Sequence, residues 1–118
     1  MHGRARVKSY VAWLGQEAHE WLLALYVDDK LHLLAVDTVA CGDVSSCRAP
    51  IRPIIVRAHQ LGASGYILVH NHPSGDPTPS RADIEATVKL ARVSSELGVP
   101  LLDHLIIAGD TMTSCGYF

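Results

Sequence analysis

Apolar residues recur along the chain in two rhythms, one helical and one extended. Val7, Tyr10, Val11 and Leu14 fall at i, i+3, i+4 and i+7, one face of a helix that Gly15 is expected to end. Trp21 to Val27 is almost continuously apolar, the pattern of a strand covered on both faces. Asp28-Asp29-Lys30 reads as a polar turn, and a second apolar run from Leu31 to Ala40 completes a predicted β-hairpin. Cys41 to Pro50 reads as a loop, after which Pro53 suits the first turn of a helix turning Ile51, Ile54, Ile55, Ala58 and Leu61 inward. Gly62 stops that helix, and Gly65 to His70 is a short buried strand. A stretch stiffened by Pro73, Gly75, Pro77 and Pro79 leads to a long predicted helix from about Arg81 to Leu97, with Ile84, Val88, Ala91 and Ser95 along one face. Val99 to Ala108 is the last strong strand, and Thr111 to Cys115 a short edge strand. The order α-β-β-α-β-α-β-β predicts an α/β fold, a mixed β-sheet sandwiched by helices, and not a doubly wound nucleotide fold.

Composition narrows the setting. With 118 residues, the chain reads as one domain, 1–118, large enough for a real core. Ten Lys+Arg against twelve Asp+Glu give a net charge of −2, which argues against a basic domain wrapped on nucleic acid. No apolar run approaches the roughly 20 residues of a membrane helix, and the basic start MHGRARVKSYVAW lacks the apolar core of a secretory signal. Three cysteines, Cys41, Cys47 and Cys115, form no framework spacing and suit a reducing compartment, so a cytoplasmic location is expected.

One stretch carries chemistry: His70-Asn71-His72-Pro73-Ser74-Gly75-Asp76-Pro77-Thr78-Pro79-Ser80-Arg81-Ala82-Asp83. Histidines at i and i+2 of an extended segment lie on one side, so both imidazoles can face one point. Asp83 sits in the first turn of the next helix, and the intervening loop is long enough to fold it back. Two neutral imidazoles and a carboxylate make a three-ligand set for Zn²⁺ whose fourth position is left to water, the mark of a catalytic site. Zinc would lower the pKa of that water to ~7. Ser80-x-x-Asp83 also reads as a capping box with Asp in place of Glu, and the two readings are compatible. Asn71 should point away from the metal and support the loop. Asp103 and His104 read as structural residues on the strand beside the site. His2, His19, His32 and His59 have no partners at ligand spacing, nothing asks Cys115 to bind metal, and Arg4, Arg6 and Lys8 read as a solvated helix face.

The spacing His-x-His, seven residues, Ser, two residues, Asp resembles the signature of the JAMM (MPN+/JAB) metallopeptidases. The wording His70-Asn71-His72-Pro73-Ser74-Gly75-Asp76-Pro77-Thr78-Pro79-Ser80, with Leu102-Asp103-His104-Leu105-Ile106-Ile107 downstream, is similar to the RadC branch. The likeness runs from about Glu20 to Gly109. It implies a cytidine-deaminase-like MPN/JAB architecture and zinc on His70, His72 and Asp83. It further implies a Ser80 hydrogen bond to the water or the tetrahedral intermediate, and an upstream glutamate as general acid/base. Glu20, in the run Glu20-x-x-x-x-Leu25-x-x-Asp28, resembles the glutamate-bearing strand of that family, and Glu17 is the other candidate. Pro50-Ile51-Arg52-Pro53 departs from the His-Pro-Arg-Glu usual in that branch. The N-terminal helical module expected in full-length members has no counterpart in this sequence, nor do the ubiquitin-gripping insertions of specialised relatives.

The function expected on these grounds is zinc-dependent hydrolysis of a peptide or isopeptide bond in a peptide or protein substrate. The rival reading is a non-enzymatic, metal-stabilised interaction module or a DNA-processing accessory. A phosphodiesterase chemistry would lack the second metal typical of many such enzymes.

Overall fold

The computed structural model of the chain describes residues 13–16, 19–42 and 51–115. Strands β1 (Glu20–Val27) and β2 (Leu33–Gly42) are followed by helix α1 (Ile51–Leu61) and strand β3 (Gly65–Asn71). Helix α2 (Arg81–Glu96), strand β4 (Leu101–Ala108) and strand β5 (Thr111–Ser114) complete the order. The five strands form one sheet in the order β2-β1-β3-β4-β5. β1 is antiparallel to both β2 and β3, β3 and β4 are parallel, and β5 returns antiparallel along the edge. A parallel pair needs a crossover, and α2 supplies it. The mixed sheet with helices packed on it is the α/β architecture expected of a JAB/MPN domain. Among the described residues, no helix is long and apolar enough to cross a membrane.

Alternation along each strand divides the core. Leu22, Ala24 and Tyr26 of β1 and Tyr66 and Leu68 of β3 meet Ile54, Ile55 and Ala58 of α1 and Leu90 and Ala91 of α2. The opposite face gathers Leu23 and Leu25, Val69 and Ile107 around Leu14. β1 is buried on both sides, as its continuous apolar run required, because each face of a central strand meets a packed layer.

Three local expectations need correction. Residues 13–16 are helical, so Gly15 does not end its helix. A Cβ there would come within 2.2 Å of the Gly109 carbonyl oxygen, so the glycine serves a close backbone approach. Val7, Tyr10 and Val11 lie outside the described residues. The second hairpin strand starts at Leu33, because Leu31 takes φ 64 in the turn, where Asp28 accepts hydrogen bonds from the Lys30 and His32 amides. The inward face of α2 is not Ile84, Val88, Ala91 and Ser95. It is Asp83, Thr87, Leu90, Ala91 and Ser94, with Val88 44% exposed. The polar residues on that face are spent on the site and on Tyr66, whose hydroxyl lies 2.5 Å from the Ser94 hydroxyl. Hydrophobic periodicity alone therefore points to the wrong side.

Candidate metal centre

The C-terminal end of β3, the start of β1 and the first turn of α2 meet at one place. Leu22 pairs with His70, so alternation puts Glu20 and His70 on the same face of the sheet, the face covered by α2. His72 follows the strand end and is pinned there by its amide, which donates to the Ile107 carbonyl at 2.8 Å. The loop then folds on its own polar groups: Gly75, at φ 88, donates to the His72 carbonyl, and Thr78 donates to the Asp76 carboxylate. Ser80 caps α2. Its hydroxyl accepts from the Asp83 amide at 3.0 Å, while Asp83 Oδ2 accepts from the Ser80 amide at 2.9 Å, a reciprocal capping box. That box fixes the Asp83 carboxylate at the positive end of the helix and turns it toward the histidines.

Glu20, His70, His72 and Asp83 are all buried. His70 Nε2 is bonded to Glu20 Oε1. Asp83 Oδ1 lies 3.8 Å from His70 Nδ1, and Asp83 Oδ2 lies 3.3 Å from His72 Nε2. Ligand atoms of Glu20, His70 and His72 lie within 4.8 Å of one another, a group able to hold a metal ion.

One hydrogen bond assigns the lone pair of His72. A carbonyl oxygen only accepts, so His72 Nδ1 carries the proton given to the Asp76 carbonyl at 2.9 Å, and a neutral His72 has a bare Nε2. His70 Nε2 is engaged by Glu20 Oε1, and His70 Nδ1 faces Asp83. His70 Nδ1 and His72 Nε2 are both buried and without a hydrogen-bond partner. Two buried imidazole nitrogens without hydrogen-bond partners and a carboxylate thus converge on one place, a donor set of the kind that coordinates a cation. The site fits a divalent metal on this ground, and imidazole with carboxylate suits zinc among others. Burial pushes the His70 imidazole down to about 4 against the opposing pull of Asp83, which keeps it neutral and able to ligate.

Behind the cluster, His104 stacks on His70 with ring centroids 5.8 Å apart. The Thr87 hydroxyl donates to the Asp83 carbonyl, and His104 Nδ1 donates in turn to Thr87, both at 2.6 Å. Burial holds the His104 imidazole at about 4. Asp103 accepts from the Ser114 hydroxyl and the His104 amide, and both residues lie on β4, the strand beside β3. Cys115 lies beside Thr87, its thiol pushed up to about 11 chiefly by burial. Asn71 departs from expectation. Its carboxamide binds the chain on either side of Glu20, at the Trp21 amide and the His19 carbonyl, and not the loop. What the sequence reading missed was this contact and the Thr87–His104 link, since neither follows from spacing along the chain. Glu17, His2, Cys47, Arg4, Arg6 and Lys8 lie outside the described residues.

The RadC-like JAB domain matches residues 2–116. A UPF0758 protein of Streptococcus thermophilus is 42% identical over 101 residues, 86% of this chain and 44% of that protein. A UPF0758 protein of Halalkalibacterium halodurans is 41% identical over 97 residues, covering 82% of this chain and 42% of its own length. A third, of Aquifex aeolicus, is 41% identical over 92 residues, 78% of this chain and 40% of that protein. The chain spans less than half the length of these relatives. With the signature residues gathered at one buried site and the match running almost end to end, the chain belongs to the RadC-like JAB domain family.

Proposed function

We propose that this domain is a zinc-dependent hydrolase of peptide or isopeptide bonds, with His70, His72 and Asp83 as metal ligands and Glu20 as general acid/base. The observation that carries the reading is the pair of unpartnered imidazole nitrogens, His70 Nδ1 and His72 Nε2, turned toward one carboxylate inside the protein. Zinc held there would supply a Lewis acid that polarises an amide carbonyl and acidifies water. Glu20, whose carboxylate lies in one group with ligand atoms of His70 and His72 within 4.8 Å, is the residue to which this reading gives the proton, taken from that water and returned to the leaving amine. Its burial keeps bulk water from competing for the proton. Ser80 uses one acceptor lone pair in the cap, so its O–H remains able to donate to a developing oxyanion.

The test joins metal analysis to a screen of linear and isopeptide-linked peptides. About one zinc per chain is expected, lost in His70→Ala and Asp83→Ala. Glu20→Gln should retain the metal and lose hydrolysis by about 10²–10⁴-fold. If Glu17→Gln alone abolishes turnover, the base is misassigned. Salt-dependent DNA binding that survives zinc removal, with no amide cleaved, would favour the accessory reading.

A further inference from the structure

We infer that Asn71 is a positioning residue for Glu20. Its carboxamide fixes the two peptide units that flank the acid/base carboxylate. The inference rests on the proposed role of Glu20 and extends it to the residue between the two histidines.

The β1–β3 register ends at Leu22 paired with His70, two residues short of the start of β1. Beyond that point the Asn71 side chain acts as a peptide would. Its Oδ1 accepts from the Trp21 amide at 2.5 Å, and its Nδ2 donates to the His19 carbonyl at 2.7 Å. The His19 carbonyl belongs to the peptide before Glu20 and the Trp21 amide to the peptide after it. Both rotatable bonds at the Glu20 Cα are therefore bracketed by one side chain, itself only 1% exposed. On the other side Glu20 and Trp21 pair with Gly42 and Cys41 of β2, so the backbone is held from two directions.

Strand alternation explains why this falls to Asn71. His70 and His72 turn toward α2, and the residue between them turns away, to where β1 begins. One tripeptide thus sets both imidazoles directly and, through Asn71, the backbone that carries the Glu20 carboxylate on the same face, so a change in the clamp moves Glu20 relative to both imidazoles. Aspartate keeps the acceptor and loses the donor, whereas alanine loses both. Displacement of a reacting group by about 1 Å can cost on the order of 100-fold in rate without changing what is bound.

The experiment compares wild type, Asn71→Ala, Asn71→Asp and Glu20→Gln as full 118-residue chains. Three readouts are taken: zinc content, hydrogen exchange of the Trp21 amide by NMR, and kcat and KM on whichever peptide the screen selects. Asn71→Ala should keep its zinc, speed Trp21 exchange by about tenfold or more while Ala24 exchange is unchanged, and lower kcat about 10- to 100-fold with KM within about twofold. Asn71→Asp, which keeps the acceptor, should leave Trp21 protected and lose less turnover; it carries the test if Asn71→Ala does not fold. Unchanged Trp21 exchange in Asn71→Ala overturns the clamp whatever the activity. Faster exchange with wild-type kcat overturns the positioning role. If Glu20→Gln turns over like wild type, the role of Glu20 fails and the positioning role falls with it, while the exchange result still reports the clamp by itself.

Discussion

Asp83 has two tasks, and its chemistry allows them to be separated. One carboxylate oxygen closes the capping box with Ser80, and both oxygens face imidazole nitrogens. Asp83→Asn can still accept from the Ser80 amide through its carbonyl oxygen but has lost the negative charge. Chelator competition should then show zinc affinity weaker by roughly tenfold or more, at least about 1.4 kcal/mol. Thermal unfolding of the metal-free protein should move by less than about 1 kcal/mol. Ser80→Ala inverts the pattern at the helix end, where losing the cap costs about 1 kcal/mol of stability. If Ser80 also steadies an oxyanion, its turnover should fall by about 10²-fold or more, well beyond what lost stability explains. Turnover that merely tracks the folded fraction would confine Ser80 to the cap.

Elements were legible where burial and chemistry agree. Apart from Glu20 at the start of β1 and His70 and Asn71 at the end of β3, these two strands carry continuous apolar runs, which marked both strands and the hairpin with β2. The two histidines, Ser80 and Asp83 stood out because their spacing serves a strand end and a helix start at once, and the structure brings them together with Glu20. α2 was legible in extent but not in orientation. Its inward face carries Asp83, Thr87 and Ser94, which a count of apolar residues assigns to solvent. Gly15 was misread for a related reason. A glycine near a helix end resembles a stop signal, yet its value here is set by Gly109, which is 94 residues away in sequence. Such approaches belong to packing between elements and leave no local trace. Gly15→Ala would place a methyl group 2.2 Å from a backbone oxygen. Neither backbone can yield without separating the 13–16 helical segment from the β4–β5 turn, so destabilisation of about 1–3 kcal/mol is expected in urea unfolding. A variant as stable as wild type would show that the segment can slide.

At the scale of the whole molecule, the buried histidines tie folding to pH. Burial lowers His70 and His104 from 6.5 to about 4 in the folded chain, so both stay neutral where unfolded imidazoles would already be charged. Between about pH 6.5 and 4 the unfolded state binds more protons than the native state. Stability is therefore full above the unfolded value and is lost as pH falls toward the folded one. His104 alone could account for on the order of 3 kcal/mol across that window, the contribution of His70 having the same sign. Chelator-treated protein should accordingly show its urea midpoint falling from pH 7 to pH 4.5. Replacing His104 with Gln removes one of the two titrating rings and should flatten that fall, even if the midpoint at pH 7 is lower. Zinc should oppose the loss, because an ion held by neutral imidazoles favours the folded state and competes with protons for the same lone pairs. An equally steep fall in His104→Gln would mean that the acid sensitivity comes from the carboxylates, and that the imidazole stack behind the site does not couple protonation to unfolding.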